Sequence, residues 1–281
     1  MTQKRKIPFT KMQGAGNDYI YVYTPNGEIP DPSRTSIEWS RPHFGIGSDG
    51  LILISPSPIP EADFSMRIFN NDGSEAMMCG NGVRCVGKYV YDHRLTDRTT
   101  VAIDTLSGIK VIDLLVGDGD KVKEATVNMG APILANRRQL ATADGSMKAG
   151  KVAGREGTYV CMGNPHFVVF VPDVMRIDLA KEGPVLENDP VFPERCNIEF
   201  ATIRPDGTIR MRVWERGSGI TMACGTGACA TAVAAYLNGL ATRESTIQMD
   251  GGTLHVRWCQ GDGCVYMTGP ATTVFEGEIE L

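Results

Sequence analysis

One segment of this chain occurs twice, and the repetition limits the fold more than any other feature. Phe69-Asn70-Asn71-Asp72-Gly73-Ser74-Glu75-Ala76-Met77-Met78-Cys79-Gly80-Asn81-Gly82 aligns without a gap on Trp214-Glu215-Arg216-Gly217-Ser218-Gly219-Ile220-Thr221-Met222-Ala223-Cys224-Gly225-Thr226-Gly227. In both copies an aromatic residue closes a strand pattern, and Cys-Gly-x-Gly then opens a helical one. Upstream, Met12-Gln13-Gly14-Ala15-Gly16-Asn17 roughly echoes Met162-Gly163-Asn164. Two copies of one unit predict two pseudosymmetric domains, and a twofold relation between them would set the cysteines face to face.

The local signals specify what each unit contains. Asp18–Tyr23, Gly50–Ile54, Phe64–Phe69, Val101–Asp104 and Lys110–Leu115 are short β-branched or aromatic runs between turn residues, which predicts strands. Ser107-Gly108, Pro205-Asp206-Gly207 and Asp250-Gly251-Gly252 read as hairpin turns, so the sheets should be mostly antiparallel. Only two helices are expected, Gly82 to about His93 and Gly227 to about Leu237, the second closed by Asn238-Gly239. The second is apolar on every face, which fits a helix enclosed on all sides. The expected class is α/β (α+β), each domain a curved, mostly antiparallel sheet around a central helix. Residues 1–124 should form the first domain and 125–269 the second. The strand near Thr273–Leu281, in segment 270–281, should return to the first.

A net charge of −5 with 22% charged residues gives no basic excess for nucleic acid or an acidic membrane surface. No stretch is long and apolar enough for a membrane span, and Met1–Phe9 carries charge without a signal-peptide apolar run. A cytoplasmic protein with reduced thiols is expected.

A thiol acting as a base near neutral pH needs its pKa lowered, and a helix N-terminus is a standard means. Cys79 and Cys224 both stand there, and the following glycines leave backbone N–H groups open to a carboxylate. A thiolate and thiol pair could move a proton between the two faces of one carbon. Cys85, Cys161, Cys196, Cys229, Cys259 and Cys264 read as buried structural thiols. Zinc is disfavoured, because Cys85 and Cys229 lie inside predicted helices, and the four histidines are scattered. Gly45-Ile-Gly47-Ser-Asp-Gly50 and Gly225-Thr-Gly227-Ala-Cys-Ala230 match a dinucleotide fingerprint. The first is followed by a strand, and the second has no acidic residue ending the next strand, so neither has the required context.

Asn70 to Cys85, Gly163-Asn164-Pro165-His166 and Glu215 to Ala228 closely resemble the diaminopimelate epimerase family. The resemblance extends from Phe9-Thr-Lys-Met-Gln-Gly-Ala-Gly-Asn17-Asp to the C-terminus. It implies interconversion of LL- and meso-2,6-diaminopimelate, for lysine and peptidoglycan precursors, by a two-base mechanism without cofactor or metal. It implies Cys79 and Cys224 as catalytic thiols, tuned by His166 and Glu215. Asn17, Asn70, Gly80, Asn81, Asn164, Asn197, Glu215, Arg216, Gly225 and Thr226 are the implied substrate contacts, and a homodimer is implied. The chain departs from some members in carrying Gly50 where they have a substrate-contacting glutamine. Proline-racemase-type enzymes are the alternative of the same fold, but usually carry Cys-Gly-His-Gly where Asn81 stands here.

Overall fold

The computed structural model describes residues 5–281. Contacts divide the chain into two units, one running to Val127 and including Gly269–Leu281, the other Asn128–Thr268.

The first unit contains β1 (Lys6–Gly14), β2 (Asn17–Tyr23), α1 (Pro32–Ser40), β3 (Gly50–Pro56), β4 (Phe64–Asn70), β5 (Glu75–Ala76), α2 (Gly80–Asp92), β6 (Thr100–Asp104), β7 (Lys110–Val116) and β8 (Val122–Asn128). β1 and β2 form an antiparallel hairpin, and β2 runs parallel to β3. β3 is antiparallel to β4, which carries the short β5 and runs parallel to β6, and β6, β7 and β8 meander.

The second unit follows the hairpin of β9 (Gly150–Val152) with β10 (Arg155–Cys161) and repeats this plan. Its elements are β10, β11 (Pro165–Phe170), α3 (Leu179–Glu187), β12 (Asn197–Ile203), β13 (Ile209–Glu215), β14 (Gly219–Thr221), α4 (Gly225–Leu237), β15 (Glu244–Gln248), β16 (Thr253–Trp258) and β17 (Val265–Pro270). Each pairing from β10 to β17 has the direction of its counterpart. Registers agree too: Leu51 opposes Phe69 and Ile20, as Ile198 opposes Trp214 and Phe167. The alignment seen in the sequence therefore extends beyond its matched segment. Tyr19 corresponds to His166, Gly50 to Asn197 and Ile52 to Glu199.

Burial explains why each unit forms around one helix. Every α2 residue from Gly80 to Tyr91 is buried, and α2 packs on β1, β2, β6 and β7. α4 packs on β10, β11, β12, β13, β15 and β16, and its alanines let the strands approach closely. α2 also buries charge, with partners for it: Arg84 bonds Gly80 O, Asn81 Oδ1 and Pro270 O, while Lys88 bonds Asp92 and Val122 O.

The two expected helices start two residues earlier than their patterns suggest, which makes Cys79 and Cys224 their N-cap residues. Two further helices, α1 and α3, were not expected. Both are short, and α3 contains Pro184. Their starts are nonetheless well marked. Asp31 accepts from Arg34 N with Pro32 at the first helical position, and Asp178 accepts from Lys181 N. Finally, β18 (Thr272–Glu280) pairs antiparallel with β1, from Lys6 opposite Glu280 to Gln13 opposite Thr272.

Candidate active site

Each unit presents one cysteine at the start of its central helix. In the first unit Cys79 has extended backbone, with φ −133° and ψ 119°, and its sulfur accepts from Gly82 N–H at 3.3 Å. The thiol donates to Asn17 Oδ1 at 3.3 Å, and Asn17 Nδ2 donates to Asp49 Oδ2 at 2.7 Å, which also accepts from Asp18 N–H at 3.0 Å. Asn17 reaches the thiol because it follows the tight β1–β2 turn, where Ala15 and Gly16 both take positive φ, 55° and 81°. Asn70 donates to Ser74 Oγ at 3.0 Å. Asn81 is buried, its Oδ1 accepting from Arg84 Nη2 at 2.9 Å, so what Gly80 and Asn81 offer at the helix end is backbone N–H.

Gly50 has a steric cause. A Cβ there would lie 2.2 Å from Phe69 O and 3.0 Å from Tyr19 Cε1, so no glutamine fits without moving β4.

The second unit surrounds Cys224 with ionisable groups. His166 on β11 and Glu199 on β12 are fully buried, with Nδ1 and Oε1 2.7 Å apart, and His166 Nε2 is 3.0 Å from Asn164 Oδ1. Asn197 donates to Pro165 O at 2.8 Å and accepts from Arg216 N–H at 2.9 Å, while Arg216 Nη1 donates to Glu194 O at 2.8 Å. Glu215 accepts from Thr221 Oγ1, and the Cys224 sulfur lies 3.5 Å from Thr226 Oγ1.

One expectation is overturned here. Burial first, then the carboxylates of Glu215 and Glu199, hold the Cys224 thiol well above its ordinary range, against the weaker pull of Thr226. Burial and like charge thus act against the lowering that a helix start supplies.

The structure thus brings Asn17, Cys79, Gly80 and Asn81 together in one unit, while Asn70 ends β4 opposite Gly50. In the other it gathers Asn164, His166, Asn197, Glu215, Arg216, Cys224, Gly225 and Thr226. Two residues of these clusters went unread in the sequence. Asp49 was hidden in a glycine-rich motif, and Glu199 in the apolar run Asn197-Ile198-Glu199-Phe200. An acid inside a buried strand was the available signal for Glu199, because such residues are almost never fully buried unless paired.

None of the eight cysteines is in a disulfide. Cys85, Cys161, Cys196 and Cys229 are buried, Cys161 and Cys196 among Phe167, Ile198 and Phe200. Burial pushes the Cys85 thiol up to about 11. Cys259 and Cys264 depart from expectation: both are only half-buried, at the hairpin joining β16 and β17.

The fold and the paired cysteine-led helices define a class. A hydroxyproline epimerase from Agrobacterium vitis superposes with TM-score 0.70 at 15% identity, over 100% of this chain and 94% of that one. A Bacillus anthracis phenazine biosynthesis protein of the PhzF family superposes with TM-score 0.71 at 16% identity, over 98% and 99%. The chain therefore has the two-unit fold shared by these epimerase and PhzF-type proteins. Sequence relationship narrows the class. The diaminopimelate epimerase family profile matches residues 9–135 and 158–274. A diaminopimelate epimerase from Phocaeicola vulgatus is 61% identical over 279 residues, 98% of this chain and 99% of that protein. One from Bacteroides thetaiotaomicron is 58% identical, over 98% of each. The chain belongs to the diaminopimelate epimerase family.

Proposed function

We propose that the chain interconverts LL- and meso-2,6-diaminopimelate, with Cys79 and Cys224 as the two bases and no cofactor. The observation that carries this reading is the matched placement of the thiols, each the N-cap of its unit's central helix. In one direction the α C–H bond breaks and an S–H bond forms on one cysteine. The other cysteine's S–H bond breaks as C–H forms on the opposite face. The raised thiol of Cys224 suits the donating role.

General acid–base help typically supplies only about 10²–10⁴-fold, and enzymes usually deliver at least about 10⁶-fold. The remainder must come from donors aimed at the developing enolate-like carboxylate. The first-turn N–H groups at Gly80-Asn81 and Gly225-Thr226, which have no partner within their own helix, suit this role. Diaminopimelate has two zwitterionic ends. Arg216, its backbone N–H held by Asn197 and its guanidinium by Glu194 O, suits the distal carboxylate, while Glu215 and the amides of Asn17, Asn70 and Asn164 suit the ammonium groups and the remaining oxygens. His166 and Glu215 tune the thiols. Membership of the family further supports a homodimer acting in the cytoplasm, and light scattering of the purified protein checks the dimer.

Deuterium labelling tests the mechanism. In deuterated water, newly formed product should carry deuterium at the α-carbon, while recovered substrate gains little at early times. Cys79→Ala and Cys224→Ala should each abolish epimerisation. Equal labelling of substrate and product, or an active alanine variant, would overturn the reading.

A further inference from the structure

The mechanism above uses Glu199 only through its charge on Cys224 and gives it no proton. The corresponding position in the first unit is Ile52, and His166 corresponds to Tyr19, so the fold does not require an acid and a histidine there. Glu199 is fully buried; one oxygen meets His166, and Oε2 has no hydrogen-bond partner among the described residues. Burying a carboxylate this completely is costly, which points to a role that offsets the cost. The position of the group indicates what that role is. A Cβ added to Gly227 would lie 2.6 Å from Glu199 Oε1 and 3.3 Å from Cys224 Sγ, so sulfur and carboxylate are neighbours across the first turn of α4.

The number of protons follows from the hydrogen bonds. Asn164 Oδ1 accepts from His166 Nε2, so the ring carries a hydrogen there, and the contact between Nδ1 and Oε1 holds one shared proton. That proton makes the pair either imidazolium and carboxylate or imidazole and carboxylic acid. The other ionisable groups acting on this pair and on Cys224 are Glu215 at the end of β13 and Cys196 before β12, with Arg216 and Glu187 acting in turn on Cys196.

We propose that Glu199 is a positioning residue for the Cys224 step, fixing the His166 ring and taking up the shared proton as Cys224 becomes a thiolate. The step balances within the site. Cys224 gives its proton to the α-carbon, the Nδ1–H bond of His166 breaks, and an O–H bond forms on Glu199. Two neighbouring anions are thereby avoided. The inference rests on the two-base reading.

The test measures Cys224 without turnover. Iodoacetamide labelling of the native protein is followed against pH, with each cysteine quantified by peptide mass spectrometry. Glu199→Gln keeps the shape and cannot hold the charge. It should move Cys224 labelling to lower pH, making it about tenfold faster near pH 8, equivalent to about one pKa unit. Cys85 and Cys196 should keep their rates. In turnover, kcat should fall at least about tenfold with KM little changed, and Glu199→Asp should restore part of it. An unchanged Cys224 profile in folded Glu199→Gln overturns the proposal. So does faster labelling of Cys85 and Cys196 in step with Cys224, which reports a loosened fold. If the variant does not fold, carboxyl-labelled glutamate in the wild-type protein supplies the answer by NMR: one signal should titrate above the ordinary range, and its absence overturns the proposal. Because labelling needs no substrate, it reports on Glu199 even if the two-base assignment fails.

Discussion

Gly227→Ala probes the packing of the second helix start, and Gly82→Ala, at the matching position, is its internal control. The new methyl at position 227 would sit 2.6 Å from Glu199 Oε1. Relief to an ordinary contact moves the carboxylate by most of an ångström, which breaks the 2.7 Å bond to His166. A hydrogen bond involving a charged group contributes about 1.5–3 kcal/mol, whereas alanine in place of glycine in a helix returns about 0.5–1 kcal/mol. The net loss should be about 1–2 kcal/mol, a decrease in Tm of a few degrees for a protein of this size. At position 82 the methyl meets Ile52 Cδ1 at 2.9 Å and Met66 Cε at 3.3 Å, both ends of flexible apolar side chains that can yield. Gly82→Ala should therefore stay within about 1 kcal/mol of wild type. Thermal unfolding and kcat are measured on both variants. Gly227→Ala should lose activity along with stability, while Gly82→Ala retains most of both. Equal Tm and kcat for the two would refute the claim that Glu199 occupies the space a side chain at 227 would need.

Three further outcomes follow from the geometry. Cys85 is raised by burial from 9.0 to about 11, so its stabilising contribution is intact below the unfolded value and lost as pH rises through the folded one. Chemical denaturation at pH 9 and pH 11 should show about 2 kcal/mol lost in wild type and less in Cys85→Ala; equal losses would argue against it. Asn17→Ala removes the acceptor of the Cys79 thiol and should lower kcat/KM about tenfold, about 1.4 kcal/mol, with Tm little changed; an unaltered kcat/KM would remove Asn17 from the thiol's support. Arg216→Lys keeps charge but loses the planar fork, so KM for diaminopimelate should rise about tenfold or more with kcat nearly constant, and a kcat effect alone would contradict a binding role.

The sequence made the architecture legible because the repeat fell where structure is most constrained. Phe69 and Trp214 close strands, and glycines after each cysteine open a helix that must be enclosed. What stayed hidden was of two kinds. α1 and α3 are too short for a periodic pattern to stand out, although Asp31-Pro32 and Asp178 mark their starts. The second kind depends on partners distant in the chain. Glu199 acquires its meaning from His166 across a parallel strand pair, and Asp49 from Asn17. The helix-start argument for low thiol pKa failed at Cys224 for the same reason, since Glu199 and Glu215 arrive from other strands. The partners of Asn81 and Asn197 are likewise invisible locally: each is buried and bonded to arginine or backbone groups that only the fold brings near.

The pairing of β18 with β1 bears on the order in which the chain can fold as it is made. β1 is synthesised before the second unit, and Ile7, Phe9 and Met12 on it belong to the buried core. Its partner strand emerges only after the whole second unit, so one side of β1 stays open while more than half the chain is still being added. Asn128–Thr268 is contiguous and can close during synthesis, whereas the first unit must wait with an unpaired strand edge, the kind of surface that templates aggregation. The second unit can therefore close before the β1–β18 pairing forms, which leaves that pairing as the last step available to the chain.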